Sequence, residues 1–478
     1  MSLNVRVFPS RSSVMNIPLS GAAAAVFLVA AVAAVLISTQ SVEAALAAVA
    51  VGAFCVCLMI VPTFWMAVVL VVLIPFQTLI SELLGRYGSN ARQVFAAWKV
   101  VLLLIGIFRV LRNNPNRRQI MVANRWVLSW SGLLILAYCV AFLRAPSIPA
   151  VFSLDFETRF LCVMWFFMFL HLDEKRKATL LRVMLWSIGL LAIYGIIQYF
   201  WDYDRLLPFV NSPDAFDYGQ RRLYSYSLTA LEPAYAAVIA ILILFSGVLR
   251  NGLRAALSWI AILVPCLLLT YTRSAYLGLL AGVIALCIID HTKLRRIAAV
   301  GLVAICLICG SFLFGGDATS RSSLGQRLQS IVSQNDESSL VHKERMRTAV
   351  QVISANPFGV GLGKYGTVEA KFVGVEDAQY TENWVLQVAV GAGVVAAFAF
   401  VGLTATLLWS LLRRQCSEAH NATLVAAAVS ILTAMTIAGV MIPVWDFQIP
   451  VVYTWALVGM AIATCDPRKV GHPVPPYR

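Results

Sequence analysis

The sequence predicts an all-α polytopic membrane protein with about 12–14 transmembrane helices, each near the length that spans a bilayer. Three observations carry this prediction. Of the 478 residues, 60% are apolar and 13% are charged, against roughly 45–50% and 25% in soluble domains. Apolar runs long enough to cross a bilayer as helices recur along the chain. No stretch alternates apolar and polar residues as a membrane β-barrel does.

The runs lie near 18–38, 43–61, 63–81, 93–111, 126–144, 152–171, 179–200, 229–249, 255–271, 274–290, 296–315, 383–411, 421–442 and 448–464. The divisions at Pro62 and at Arg273 are the ones on which the count depends. The first run follows Arg6 and Arg11 and extends from Ile17 to Ile37. It is long for a signal-peptide core and no small-residue cleavage site ends it, so an uncleaved first span is expected.

Most of the net charge of +14 is explained by membrane orientation, and no nucleic-acid-binding motif is present. With the N-terminus inside, the cytoplasmic connections carry Arg109 to Arg125, Lys175 to Lys177, Arg250 and Arg254, Lys293 to Arg296, Arg413 and Arg414, and Arg468 and Lys469, as the positive-inside rule requires. Two long loops, 201–228 and 316–382, then share the outer face. The chain thus divides into N-terminal helices (1–200), a first outer loop (201–228), helices containing a Thr-Arg-Ser motif (229–315), a large outer loop with amphipathic helices (316–382), and C-terminal helices (383–478). The ten cysteines fall almost entirely in apolar spans, among them Cys55, Cys57, Cys266, Cys287, Cys306 and Cys309. They form no metal-binding pair and no disulfide framework.

Within the large loop, residues 322–332 place Leu324, Leu328, Ile331 and Val332 on one helical face, and 340–353 do the same with Val341, Met346, Val350 and Ile353. Pro357 ends the second helix near Asn356. The four glycines of "FGVGLGKYG" predict a turn-rich loop packed on the membrane domain and framing a cavity.

Charges at a membrane edge are functional candidates by default. The outer set comprises Arg221, Arg222, Glu232, Arg273, Arg345, Arg347 and Glu382. Arg273 lies between two apolar spans, where a guanidinium suits bidentate phosphate binding; a helix-end anchor snorkelling to headgroups is the alternative. Thr270, Thr272 and Ser274 flank it as candidate caps. Arg221 and Arg222 are either a solvated patch or fold over Arg273 to hold a diphosphate near hydrocarbon, the binding problem posed by a polyprenyl-diphosphate lipid. Glu232 opens an apolar helix in "LEPAYAA", where Pro233 is tolerated and the carboxylate suits the helix dipole; it reads as helix initiation or as a carboxylate facing the cavity, with Tyr235 as a sugar-contacting candidate on the same helix. At "YTENWVLQVAVGAG", Thr381 or Glu382 is expected to cap the next helix, and Asn383, Trp384 and Gln387 give it a polar, aromatic face. The functional reading makes Glu382 a general base and Asn383 and Trp384 contacts for the sugar or acceptor. No metal site and no cofactor are expected.

"LEPAYAA", "LTYTRSAYLGLLAG", "NPFGVGLGKYG" and "ENWVLQVAVGAGVVAAF", in this order between about Tyr224 and Val401, resemble the O-antigen ligase / O-antigen polymerase family of membrane proteins. The resemblance implies a GT-C-type, metal-independent glycosyltransferase acting at the periplasmic face of the bacterial inner membrane. It implies transfer of an undecaprenyl-diphosphate-linked glycan to a glycan or lipid acceptor, in contact with membrane lipids, with a flippase and a chain-length regulator as partners. The family's diphosphate-binding arginine carries over to Arg273 by motif, and more loosely to Arg221, Arg222 and Arg345. Where the family commonly has His-Asn, this chain has Glu382-Asn383, and ligases in particular keep that histidine. The expected activity is therefore a polymerase, with an O-antigen ligase as the alternative and a polysaccharide transporter as the less favoured reading.

Overall fold

The computed structural model describes residues 54–85, 89–206, 216–217, 220–249, 253–289, 337–366, 381–413 and 419–464. The expected spans near 18–38 and 296–315, most of that near 43–61, and the expected amphipathic helix at 322–332 lie outside these residues. Every other expected span is helical, those at 63–81 and 383–411 as two successive helices each, and the fold is that of an all-α polytopic membrane protein. The helices are α1 (Thr63–Leu73), α2 (Gln77–Gly85), α3 (Ser89–Asn113), α4 (Arg117–Ala123), α5 (Arg125–Arg144), α6 (Ile148–Phe169), α7 (Glu174–Trp201), α8 (Leu231–Ser246), α9 (Leu253–Leu269), α10 (Arg273–Ile289), α11 (Glu337–Ala355), α12 (Trp384–Ala392), α13 (Val394–Leu412), α14 (Ala419–Met441) and α15 (Gln448–Thr464). Phe216–Asp217 and Gln220–Arg221 form a two-residue antiparallel ribbon in the first loop.

By length and composition, five stretches among the described residues suffice to cross a membrane: Thr63–Leu84, Arg125–Arg144, Glu174–Trp201, Val394–Leu412 and Asn421–Met441. Shorter apolar helices, including Leu231–Ser246 and Gln448–Thr464, fill the interior. Local chemistry sets several boundaries. Ser147 caps α6 by accepting from Ala150 N, and Asp173 caps α7 by accepting from Arg176 N, satisfying otherwise unpaired helix-start donors. Gly247, at φ 70°, ends α8 in the left-handed conformation.

The core is organised around α8, whose residues from Glu232 to Ser246 are all buried, and around α15, buried from Ile449 to Ile462. In α10, Gly278 and Gly282 face α14; a Cβ on either would lie 2.9 Å from a backbone carbonyl, of Ala434 or of Ser430. Small residues four apart permit this close helix crossing.

Two expectations about the large loop and the helix after it are corrected. The span expected at 383–411 is two helices, α12 and α13, broken at Gly393, which has φ 93° and ψ 168°. The break exists because the glycine-rich turn docks there: Val360 N and Gly361 N donate to the carbonyls of Val390 and Gly391 at 2.8 and 3.1 Å, and Val394 N donates to Pro357 O at 2.9 Å. The turn thus takes the helix-end groups that a continuous helix would pair internally. The expected apolar face of α11 is also shifted: Val350 is exposed, and Ala349 is the buried residue, against Tyr365 and Val390.

Candidate active site

The Arg273 turn is built by three residues. Between α9 and α10 the chain passes through Thr270, Tyr271 and Thr272, and Tyr271 adopts φ 52°, a left-handed conformation costly for a residue with a bulky side chain. The turn is held from outside. Leu223 N donates to Leu269 O at 3.0 Å. Arg222 donates from Nε to Thr270 O at 3.0 Å and from Nη2 to Thr272 Oγ1 at 3.3 Å. Arg222 N in turn donates to the Tyr203 hydroxyl at 3.2 Å, and the Arg221 guanidinium lies 4.8 Å from the centre of the Tyr203 ring. Tyr224 donates its hydroxyl proton to Tyr203 O. Arg222 thus folds onto the turn that carries Arg273, while Arg221 stays exposed with its guanidinium over the Tyr203 ring.

Arg273 is the first residue of α10. A cation at a helix N-terminus opposes the helix dipole, so helix electrostatics do not account for it; an anion there meets both the guanidinium and the helix start. Next to it, Ser274 is buried and its Oγ shares a 2.7 Å hydrogen bond with the Tyr235 hydroxyl of α8. Tyr235 lies close enough to Arg222 and to Glu382 for both charges to act on its hydroxyl.

Glu382, just before α12, has a side chain only 10% exposed. Its Oε1 accepts from Arg345 of α11, and its Oε2 lies 3.2 Å from His342 Nδ1 on the same helix. Burial pushes its carboxyl pKa up, but His342 and Arg345 more than offset this and hold it below the ordinary value.

The structure thus brings Arg222, Arg273, Tyr235, Arg345 and Glu382 to one end of the bundle. Three other expected site residues have structural engagements instead. Glu232 is buried and accepts from Gln448 N at 2.7 Å, so its carboxylate serves the first turn of α15. Asn383, rather than Thr381 or Glu382, caps α12: its Oδ1 accepts from Leu386 N at 3.1 Å while its Nδ2 donates to Val440 O at 2.9 Å. Trp384 is 1% exposed and packs edge-on against Phe400, a core position closed to an acceptor.

His342 was not among the expected site residues. Its spacing of three from Arg345 and seven from Ala349 places all three on one helix face, the face that meets α12, and a histidine and an arginine continuing that apolar stripe are the signal that reveals it. A buried polar layer beneath the site was likewise not legible. Gln387 donates to both oxygens of Asp446 at 3.0 and 3.1 Å, and Tyr138 donates to Glu157 Oε2 at 3.1 Å. Lys99 donates to Gln448 Oε1 at 3.1 Å.

At the opposite end, a cavity of about 440 Å³ opens among α3, α4, α6, α7 and α15, lined by Asn114, Gln119, Asn124, His171, Lys177 and Asn421 among others. None of the expected site residues lines it. The basic connections at 109–125 and 175–177 lie at this end, so they and the arginine site segregate to opposite ends of the bundle.

Residues 256–401, less than a third of the chain, match the family model described as O-antigen ligase. The matched segment contains the Arg273 turn, α11, the glycine-rich turn and the break at Gly393. The match supports the O-antigen ligase/polymerase assignment carried by the motifs, and with it a glycosyl-transferring, O-antigen-ligase-type function. No curated protein matches the chain.

Proposed function

We propose that this protein is an inner-membrane glycosyltransferase that polymerises undecaprenyl-diphosphate-linked oligosaccharide repeat units at the periplasmic face. The observation that carries the reading is the Arg222 clamp on Thr270 and Thr272. It brings a second arginine onto the turn that carries Arg273, at a helix start, with Tyr235 of α8 hydrogen-bonded to the neighbouring Ser274. A diphosphate with an isoprenoid tail matches that combination of cations at a membrane edge and apolar helices below.

In this reading the donor glycan is attacked at C1 by an acceptor hydroxyl. The C1–oxygen bond breaks with its electron pair going to the diphosphate, and Arg273 and Arg222 stabilise the charge that develops there. Pre-positioned charge of this kind is often the largest catalytic contribution. The hydroxyl proton goes to a base at the Glu382 end of the site, and attack opposite the leaving group inverts the anomeric centre. The donor is already activated, so no nucleotide is needed. The net basic connections at the opposite end support a cytoplasmic location for that end and hence a periplasmic site.

Glu382, where the resembling family commonly has histidine, and the "LEPAYAA" stretch favour a polymerase. The description of the matching family model favours the second reading, an O-antigen ligase that transfers the glycan to lipid A–core. The glycan profile of a strain lacking the protein separates them. Loss of a polymerase leaves single repeat units on the final carrier; loss of a ligase leaves the carrier bare while lipid-linked polymer accumulates. An unchanged profile contradicts both.

A further inference from the structure

We infer that His342 is the base that takes the proton from the acceptor hydroxyl and that Glu382 is the residue that orients it. The inference rests on the glycosyl-transfer reading above and assigns the proton-transfer step within that site.

Glu382 is poorly placed to be the base itself. Both of its oxygens are engaged, Oε1 by Arg345 and Oε2 by His342, and its side chain is 10% exposed. A carboxylate whose two oxygens are held by Arg345 and His342 has little affinity for a further proton, because that pairing outweighs the opposite effect of burial. His342 has the complementary properties. Its side chain is 41% exposed. The 3.2 Å contact from Nδ1 to Glu382 Oε2 fixes the tautomer with the proton on Nδ1, leaving the Nε2 lone pair to meet a hydroxyl. A carboxylate in this position holds the imidazole and stabilises the imidazolium that forms, without taking the proton itself. The pair joins two separate elements, α11 and the start of α12, so it exists only when the large loop is docked.

Among the described residues, four charged groups are set around this imidazole on α11 and at the start of α12. Glu382 faces it from the start of α12, and Arg345 lies one turn along α11 and is itself tied to Glu382. Lys343 and Glu344 neighbour it on α11 and are exposed. Beyond Glu382, Tyr235 of α8 lies within reach of that carboxylate and of Arg222. In the step, the acceptor O–H proton passes to His342 Nε2 and the oxygen forms its bond to the donor C1. The C1–oxygen bond to the diphosphate breaks with its electrons leaving on the diphosphate, and the imidazolium later returns its proton to water.

The test uses full-length protein in nanodiscs, with lipid-linked repeat units isolated from a strain lacking the protein as both donor and acceptor. His342→Ala is expected to lower kcat by about 10²- to 10⁴-fold, the usual worth of a general base, with KM little changed and donor binding retained. Added imidazole is expected to restore part of the rate. His342→Gln, which keeps a donor towards Glu382, is expected to lose the acidic limb of the pH–rate profile, whereas Glu382→Gln lowers kcat but retains that limb. Wild-type kcat in His342→Ala, or no recovery with imidazole in a variant that inserts and binds donor normally, overturns the inference and leaves the glycosyl-transfer reading standing. Wild-type protein that neither elongates the glycan nor transfers it to a lipid acceptor overturns that reading, and this inference with it.

Discussion

Arg222 and Thr270 are joined by a 3.0 Å hydrogen bond from the guanidinium Nε to the backbone carbonyl, across 48 residues of chain. Through this bond and the one to Thr272, a periplasmic-loop arginine in the proposed topology fixes the turn that presents Arg273. Arg222→Lys keeps the charge but loses the planar fork. Charge-assisted hydrogen bonds are worth about 1.5–3 kcal/mol each, and about 1.4 kcal/mol is tenfold. The lysine variant is therefore expected to slow elongation by about tenfold or more at unchanged membrane insertion, read as shorter glycan chains on a gel.

Gly393 tests the docking of the glycine-rich turn. At φ 93° a Cβ would lie 2.7 Å from Phe358 C and 2.9 Å from Pro357 O. Gly393→Ala is expected to destabilise the fold by about 1–3 kcal/mol, the usual cost of such strain. The measurement is the unfolding temperature in detergent compared with Gly132→Ala, where a Cβ meets nothing within 4 Å. Equal unfolding temperatures would show that the break does not need a glycine.

Glu232 is expected to act on stability rather than chemistry. Glu232→Gln keeps an oxygen to accept from Gln448 N and should be mild. Glu232→Leu leaves that buried helix start without its acceptor, at a cost of about 1–3 kcal/mol. The quantity to measure is glycan made per folded molecule, which should stay near the wild-type value in both variants even where the leucine variant is less abundant. A large fall per molecule in Glu232→Gln would place Glu232 in the chemistry.

The Glu382 pairing predicts a pH dependence. Its carboxyl pKa lies below the ordinary 4.5, because His342 and Arg345 outweigh burial. A depressed carboxyl contributes stability that is fully present above the ordinary value and is lost as pH falls through the folded-state value. The docking of α11 is thus expected to be constant from neutral pH down to about 4.5 and to weaken below it. Hydrogen exchange along Glu337–Ala355 at descending pH checks this. Glu382→Gln should exchange faster at neutral pH and show little further change on acidification.

Much of this architecture was legible in the sequence because hydrocarbon imposes it: an apolar run of span length has few alternatives to a helix. The division at Arg273 was readable from its flanking threonines. The break at Gly393 was not, since the residues on both sides are apolar and the cause is the 357–361 turn arriving from elsewhere. The arrangement of the candidate site was legible where charge and position coincide, as at Arg222, Arg273 and Glu382, which the fold brings to one end of the bundle. It was not legible where a residue's partner is distant in sequence. Glu232 resembles a helix opener for α8 but serves α15, and the Gln387–Asp446 contact spans 59 residues. Asn383 drew attention for its polarity, yet both ends of its amide are used by backbone.

The most direct measurement of the central claim is the affinity of the nanodisc-embedded protein for undecaprenyl diphosphate compared with undecaprenyl monophosphate. The account predicts that the wild type binds the diphosphate more tightly, and that Arg273→Ala and Arg222→Ala each reduce the preference while remaining inserted. Equal binding of the two lipids by the wild type, or an undiminished preference in both variants, would contradict the claim that these guanidinium groups together hold the leaving diphosphate.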